Sequence, residues 1–276
     1  MHQSTLKTSV GIEGIGLHTG EPCQLTIFPA PANTGIIFVT PNGEVAAVAE
    51  NVESTNRGTT LRKGAAQVHT VEHLLSAFAG MQIDNAIVQV VGPEVPSVDG
   101  SALPFVELIE SAGIEPQSAE VVPIRVEDTV WIGKENTHVI ALQNANYRVT
   151  GIISFSHPMI GEQTIDLQVE PEIFKREVAP ARTFCTEEEI EAILCSGLGR
   201  GGTLANVVIV KEKEYSTSLR FRDEFVRHKV LDLIGDLYLV GGRLAAHVIT
   251  IKAGHALHAA LAGRIRQSWA RRRQGG

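Results

Sequence analysis

The chain has 276 residues, 43% of them hydrophobic, and a formal net charge of −7. That is enough apolar material for one large or two medium cores, and the acidic balance without a basic stripe through the body argues against a nucleic-acid partner. No stretch approaches the roughly 20 apolar residues that span a bilayer, the start Met1–Lys7 has no apolar signal core, and Cys23, Cys185 and Cys195 are an odd set without C-x-x-C spacing. The expectation is a cytoplasmic chain in a reducing compartment.

The first part reads as short strands broken by Gly, Pro and Asn. Gln24–Phe28, Thr34–Val39 and Ala86–Val91 carry the β-branched and aromatic residues of strands. Helices are expected at about Thr70–Met81, and from Asp99-Gly-Ser101 to Gly113, a C′ glycine. The polar, Pro-containing segment 114–120 reads as a linker, dividing the chain into 1–119 and 120–276. Strands follow at Ile124–Val126, Thr137–Ala141, Tyr147–Phe155 and Ala205–Val210. Thr186-Glu-Glu-Glu189 is a capping box, opening a short helix whose Ile190, Ile193 and Leu194 share an apolar face. Long helices are expected over about Arg222–Val240 and Leu257–Arg271, the latter ending in arginines suited to a solvated helix terminus. Each half gives strands and then two helices. That order predicts two similar α+β domains, each a sheet layer with two helices, and a ligand site where they meet.

The chemistry concentrates in two helical segments. In the first of them to stand out, His228, Asp232 and Asp236 recur at steps of four on one face, each step rising about 6 Å. The residues around them are apolar (Phe225, Val230, Leu231, Leu233, Ile234, Leu237), so the helix is expected to be buried. Burying several ionisable groups is costly unless a metal, a partner or a reaction uses them. The second segment, His69-Thr-Val-Glu-His73, matches H-x-x-E-H, the inverzincin peptidase pattern in which two His bind zinc. Taken literally, His69, His73, His228 and Asp232 give four ligands, the number that closes a structural zinc. A catalytic zinc keeps one position for water or substrate. Dropping His69 leaves His73, His228 and Asp232, with Glu72 beside them as general base. Lys229 and His255, the latter following Gly254, offer a cation and a proton donor, and Asp236 could orient His255. Zn²⁺ is expected, with Fe²⁺ the alternative that the same donors accept. Three readings stand side by side here: a three-ligand hydrolase, an inverzincin-like peptidase, and a zinc-stabilised binding protein with four ligands filled. Spacing does not choose among amide, ester and peptide substrates.

Six runs together resemble one family: Gly14-Ile-Gly-Leu-His-Thr-Gly20, Thr70-Val-Glu-His-Leu74, Val98-Asp-Gly-Ser101, Arg182-Thr-Phe184, Phe225–Asp236 and Gly254-His-Ala-Leu257. The family is the zinc-dependent UDP-3-O-acyl-N-acetylglucosamine deacetylases of lipid A biosynthesis (LpxC), and the similarity covers nearly the whole chain in order. The resemblance implies helices sandwiched between the sheets of two α+β domains, and an acylated UDP-sugar as substrate; a monomer is expected. It implies His73, His228 and Asp232 as zinc ligands, Glu72 as general base and His255, supported by Asp236, as the second catalytic group. Thr183 would hydrogen-bond the oxyanion and Lys229 would help hold it. Phe184 would contact the sugar nucleotide, His18 would stand near the active site, and Thr186–Leu198 would enclose the acyl chain. His69 departs from the family, which commonly has a small or polar residue there; on this reading the match to H-x-x-E-H is coincidental.

Overall fold

A computed structural model describes residues 1–275 of the chain. The first half begins with strands β1 (His2–Leu6), β2 (Val10–Ile15), β3 (Pro22–Pro29), β4 (Ile36–Thr40) and β5 (Gly43–Ala46). A small sheet of β6 (Val52–Ser54), β7 (Thr60–Lys63) and β8 (Ala66–Val68) leads into helix α1 (Glu72–Gly80). Strand β9 (Ala86–Val91), helix α2 (Leu103–Ala112) and strand β10 (Ile114–Glu120) follow. The second half begins with β11 (Ile124–Arg125), β12 (Val130–Lys134), β13 (Thr137–Gln143), β14 (Arg148–Ser154) and β15 (Glu162–Gln168). An excursion runs through α3 (Pro171–Glu177), β16 (Phe184–Thr186), α4 (Ile190–Cys195) and β17 (Val208–Val210). Helix α5 (Glu224–Tyr238), strand β18 (Leu244–Ile251) and helix α6 (His255–Gly275) complete the fold.

The two main sheets share one plan. Their strand orders are β2-β3-β9-β4-β5 and β12-β13-β18-β14-β15, with β11 added along the start of β18. In each five-stranded path only one pair is parallel, β4 with β9 and β14 with β18. A parallel pair needs a crossover connection. Helix α1 lies in that crossover in the first half and α5 in the second, so the two are topological counterparts.

These counterparts pack against each other between the sheets. Helix α1 is buried on all sides from Glu72 to Phe78, and α5 is buried nearly throughout, as expected of helices in a central layer. They come close at Gly235, where a Cβ would stand 2.0 Å from the carbonyl oxygen of Glu72. Only glycine lets the two backbones come so near. The helix α2 ends as its sequence predicts, at Gly113 with φ 73°. The capping box also forms, with Thr186 N–H and Oγ1 both donating to Glu189 Oε2 at 3.0 and 3.1 Å.

Two expectations fail. Segment 114–120 is not a linker; it is strand β10, paired antiparallel with β1. Its polar, Pro-containing composition belongs to a two-stranded ribbon with one face in solvent, where proline is tolerated. Gln117 anchors it, donating to the Ala30 carbonyl at 2.8 Å and accepting from Asn85 Nδ2 at 2.7 Å. The strand expected at Ala205–Val210 is confined to Val208–Val210, because Asn206 Oδ1 accepts from Thr203 N–H at 2.7 Å and closes a turn. Helix α3 has no counterpart among the expected elements; Pro171 in its first turn was the available signal.

Candidate active site

Helix α1 begins at Glu72, and the chain enters it through Thr70 at φ 56°. That left-handed conformation is strained for a β-branched residue. It turns the chain so that Glu72 and His73, adjacent in sequence, both reach the helix facing them. From α5, His228 and Asp232 come one turn apart. His73 Nε2 and His228 Nε2 stand 3.6 and 3.4 Å from the same oxygen, Asp232 Oδ1. The two imidazoles meet edge to face at 87° with centroids 5.1 Å apart. His228 Nδ1 lies 3.1 Å from the carbonyl oxygen of Ala181, which can only accept. The proton therefore sits on Nδ1, and the lone pair of Nε2 faces the cluster.

The electrostatics suit a cation. Burial, reinforced by His73 and Lys229, outweighs Asp232 and lowers His228 to about 3, so the ring is neutral. Burial opposes ionisation of Asp232 too, yet His228, Lys229 and His73 hold it well below the usual carboxylate range. Its second oxygen accepts from Lys229 Nζ at 3.0 Å. Three ligand atoms lie within 4.8 Å of one another on buried residues, so this triad could hold a metal ion.

Glu72 and His255 flank the triad. Glu72 is 2% exposed, and burial raises its pKa against the pull of His255 and His73. His255 starts α6 and places Nε2 3.9 Å from Glu72 Oε1. Burial disfavours its charge, but Asp236 beneath it prevails and pushes it up to about 10. The bond responsible runs from His255 Nδ1 to Asp236 Oδ2 at 2.7 Å. Asp236 is fully buried and accepts further bonds from His258 Nδ1 at 3.0 Å and Thr59 Oγ1 at 2.5 Å.

A cleft of about 450 Å³ opens over these groups. Thr183, Phe184, Lys229 and His18 all line it. Arg182 fixes the first two: it is buried, and its backbone N–H and Nε donate to Glu224 Oε1 at 3.0 and 2.9 Å. Thr183 N–H donates to the Gly100 carbonyl at 2.8 Å, which fixes the backbone of a residue that lines the cleft. The Phe184 ring packs on Phe225 at 4.6 Å, with Lys229 Nζ 5.5 Å from its centroid. His18 Nε2 lies 3.0 Å from the Arg57 carbonyl, and burial lowers its pKa. One arm of the cleft is apolar, walled by Ile190, Ile193, Leu194, Leu204, Val207 and Ile209.

The geometry separates His69 from the cluster. It precedes α1, bridges to Glu94 and pairs its Nδ1 with Thr60 Oγ1 at 3.0 Å. The four-ligand set and the peptidase pattern both fail on that point, because the backbone turn at Thr70 carries His69 away from His73. Sequence reading missed Thr59, Glu94 and His258. The spacing His255-x-x-His258 was a usable signal, and a carboxylate set between Pro93 and Pro96 was another. Thr59 offered none.

The family model for LpxC, UDP-3-O-acyl N-acetylglycosamine deacetylase, matches residues 3–267. The chain belongs to the LpxC family. It is 43% identical over 269 residues to the UDP-3-O-acyl-N-acetylglucosamine deacetylase of Anaeromyxobacter sp., covering 96% of this chain and 88% of that one. The deacetylase of the same name from Cellvibrio japonicus is 42% identical over 266 residues, covering 94% and 88%. That from Teredinibacter turnerae is 43% identical over 264 residues, covering 93% and 87%. The LpxC match spans both sheets and both helices that carry the His73–His228–Asp232 cluster. No helix among the described residues is long and apolar enough to cross a membrane.

Proposed function

We propose that this LpxC-family chain is a zinc-dependent amidohydrolase. It removes acetate from the 2-acetamido group of UDP-3-O-(3-hydroxyacyl)-N-acetylglucosamine and leaves the free 2-amine, the committed step of lipid A biosynthesis. One observation carries the reading: Glu72 and His255 stand 3.9 Å apart beside the His73–His228–Asp232 triad, at the floor of a cleft with an apolar arm. The names of the relatives supply the substrate class.

The donor set fits zinc. A tetrahedral zinc with bonds of about 2.0–2.2 Å needs ligand atoms roughly 3.3–3.6 Å apart, and both His–Asp separations fall in that range. Three protein ligands are the number of a catalytic site. Fe²⁺ remains the alternative for the same donors. When bound, zinc would polarise the amide carbonyl and make the attacking water more acidic.

The chain's own residues account for the proton movements. Glu72 Oε2 is engaged by the Thr59 N–H at 2.9 Å, so Oε1 takes the proton of water as its oxygen bonds to the carbonyl carbon. Charge developing on the carbonyl oxygen is met by the Thr183 hydroxyl and the Lys229 ammonium. As the C–N bond breaks, His255 Nε2 gives its proton to the departing nitrogen. Asp236 keeps His255 protonated and oriented until that moment. The products are acetate and the amine. Phe184, which lines the cleft, would contact the sugar nucleotide, His18 would stand close to the reacting groups, and α4 with Leu204, Val207 and Ile209 would enclose the acyl chain. The domain division 1–119 and 120–276 belongs to the same proposal, supported by the repeated sheet plan. So does a cytoplasmic setting, supported by the three free thiols of Cys23, Cys185 and Cys195.

The test is acetate release from the acylated UDP-sugar by purified protein, before and after chelation and zinc add-back. Chelator-sensitive release restored by zinc is the expected result. No release from folded, metal-loaded protein at several acyl lengths would sink the assignment.

A further inference from the structure

Thr59 belongs to none of the sequence motifs, yet it is the residue that joins the two proton-handling sides of the site. It is fully buried just before β7. Three of its groups are in use. The N–H donates to Glu72 Oε2 at 2.9 Å, the hydroxyl donates to Asp236 Oδ1 at 2.5 Å, and the carbonyl accepts from Val71 N–H at 3.2 Å, at the threshold of α1. The chain presses onto the Glu72 carboxylate at this point. Arg57 is left-handed at φ 57°, and a Cβ on Gly58 would stand 3.0 Å from Glu72 Oε1.

The carboxylate of Asp236 is held from both sides. Oδ2 accepts from His255 Nδ1 at 2.7 Å and His258 Nδ1 at 3.0 Å; Oδ1 accepts from Thr59. Without the hydroxyl, Oδ1 has no donor among the described residues to stop the carboxylate turning about its Cβ–Cγ bond, and the imidazole on Oδ2 turns with it. Glu72 would keep its backbone donor in that event, because a side-chain substitution leaves the N–H in place.

We propose that Thr59 is a positioning residue, a donor with two heads that sets Glu72 and, through Asp236, His255 at a fixed separation. The inference rests on the deacetylase reading for the roles of Glu72 and His255. Its physical content is that a first-half loop supplies the third support of a second-half carboxylate, so that the group taking a proton and the group returning one cannot drift apart. Displacement of a reacting group by about 1 Å costs on the order of a hundredfold in rate.

Thr59→Val keeps the shape and the N–H and removes only the hydroxyl; Thr59→Ser keeps both polar heads. With metal-loaded protein, Thr59→Val is expected to lower kcat by roughly 10–100-fold, with KM and bound zinc unchanged, and Thr59→Ser to restore most of kcat. Proton NMR reads the same bond without substrate. A downfield Nδ1–H resonance of His255 should be present in the parent and in Thr59→Ser, and be lost or broadened in Thr59→Val. Thr59→Ala carries the same test if the Val variant does not fold. Parent-like kcat and an unchanged His255 resonance in Thr59→Val would overturn the inference, as would equal loss of kcat and zinc in both Ser and Val variants. A parent protein that releases no acetate would overturn the deacetylase reading instead, and the resonance would still judge Thr59.

Discussion

The two halves of the molecule repeat one sheet plan and do unlike chemistry with it. Helices α1 and α5 occupy the same place in their halves, each in the crossover before the central strand. The first supplies two adjacent residues, Glu72 and His73, at its N-terminal end. The second supplies a column of three, His228, Asp232 and Asp236, along its length. Adjacent residues on a helix point about 100° apart, so α1 can serve a metal with one side chain and a proton transfer with the other. A column of step four keeps its members on one face, so α5 can offer ligands and then, a turn lower, a support for His255. The halves also differ in what precedes those helices. Residues 47–71 in the first half form the small β6–β8 sheet and deliver Thr59. The longer stretch 169–223 in the second delivers Thr183, Phe184 and the apolar wall. Repetition accounts for the sheets and the two central helices, and the excursions add the residues that surround the groups those helices carry.

The largest expected effect tests whether the adjacent pair on α1 divides its labour in that way. Glu72→Gln should lower kcat by about 10²–10⁴-fold while zinc content, read by elemental analysis, stays at the parental level. His73→Ala should lose the metal itself. Loss of zinc in Glu72→Gln would mean that the two side chains share one task.

Next in size is the crossing of the counterpart helices. Gly235→Ala places a methyl 2.0 Å from the Glu72 carbonyl, against backbone that cannot yield cheaply. Overpacking of this kind costs about 1–3 kcal/mol, occasionally more, and a denaturant midpoint measures it. Turnover should fall as well, since the displaced residue is Glu72. A variant of parental stability would mean that the helices separate more readily than their packing indicates.

A smaller effect concerns the first half alone. Glu94 is fully buried and accepts from the backbone N–H groups of His18 and Thr19 and from the hydroxyls of Thr19 and Thr70. It therefore ties the His18 loop to the left-handed residue that opens α1. Burial opposes its ionisation, but those donors hold its pKa below the ordinary 4.5. A depressed carboxylate contributes its stability above the unfolded value, and that contribution is lost as pH falls through the folded one. Glu94→Gln should cost about 2 kcal/mol near neutral pH, and the gap in melting temperature from the parent should close as the pH drops below about 4.5. A gap independent of pH would show that shape, and not charge, sustains the loop.

The sequence held more of the site than of the frame around it. His228, Asp232 and Asp236 were legible because a helix converts a period of four into one face, and the apolar residues between them signalled burial. Segment 114–120 was illegible because its partner β1 lies at the other end of the first half, and local composition carries no record of that pairing. The match at His69 misled for a related reason. A motif assumes one continuous helix, and the positive φ at Thr70 breaks that assumption two residues before α1 starts. Thr59 escaped notice because threonine before a strand is ordinary, and only the fold reveals what its hydroxyl meets.

The smallest expected effect isolates the excursion of the second half. Ile193 lies in α4, half-buried, on the apolar wall of the cleft. Because it is not part of either main core, Ile193→Ala should leave the melting temperature and kcat near the parental values. The wall itself loses contact area. At about 0.8 kcal/mol per buried methylene, a chain long enough to reach Ile193 should bind roughly tenfold more weakly, seen as a rise in KM. A substrate whose acyl chain stops short of that residue should show no change. The comparison across acyl lengths therefore measures how far the chain runs along α4. A uniform rise in KM at every length would place Ile193 against the sugar or the nucleotide, and the apolar arm would then serve a different part of the ligand.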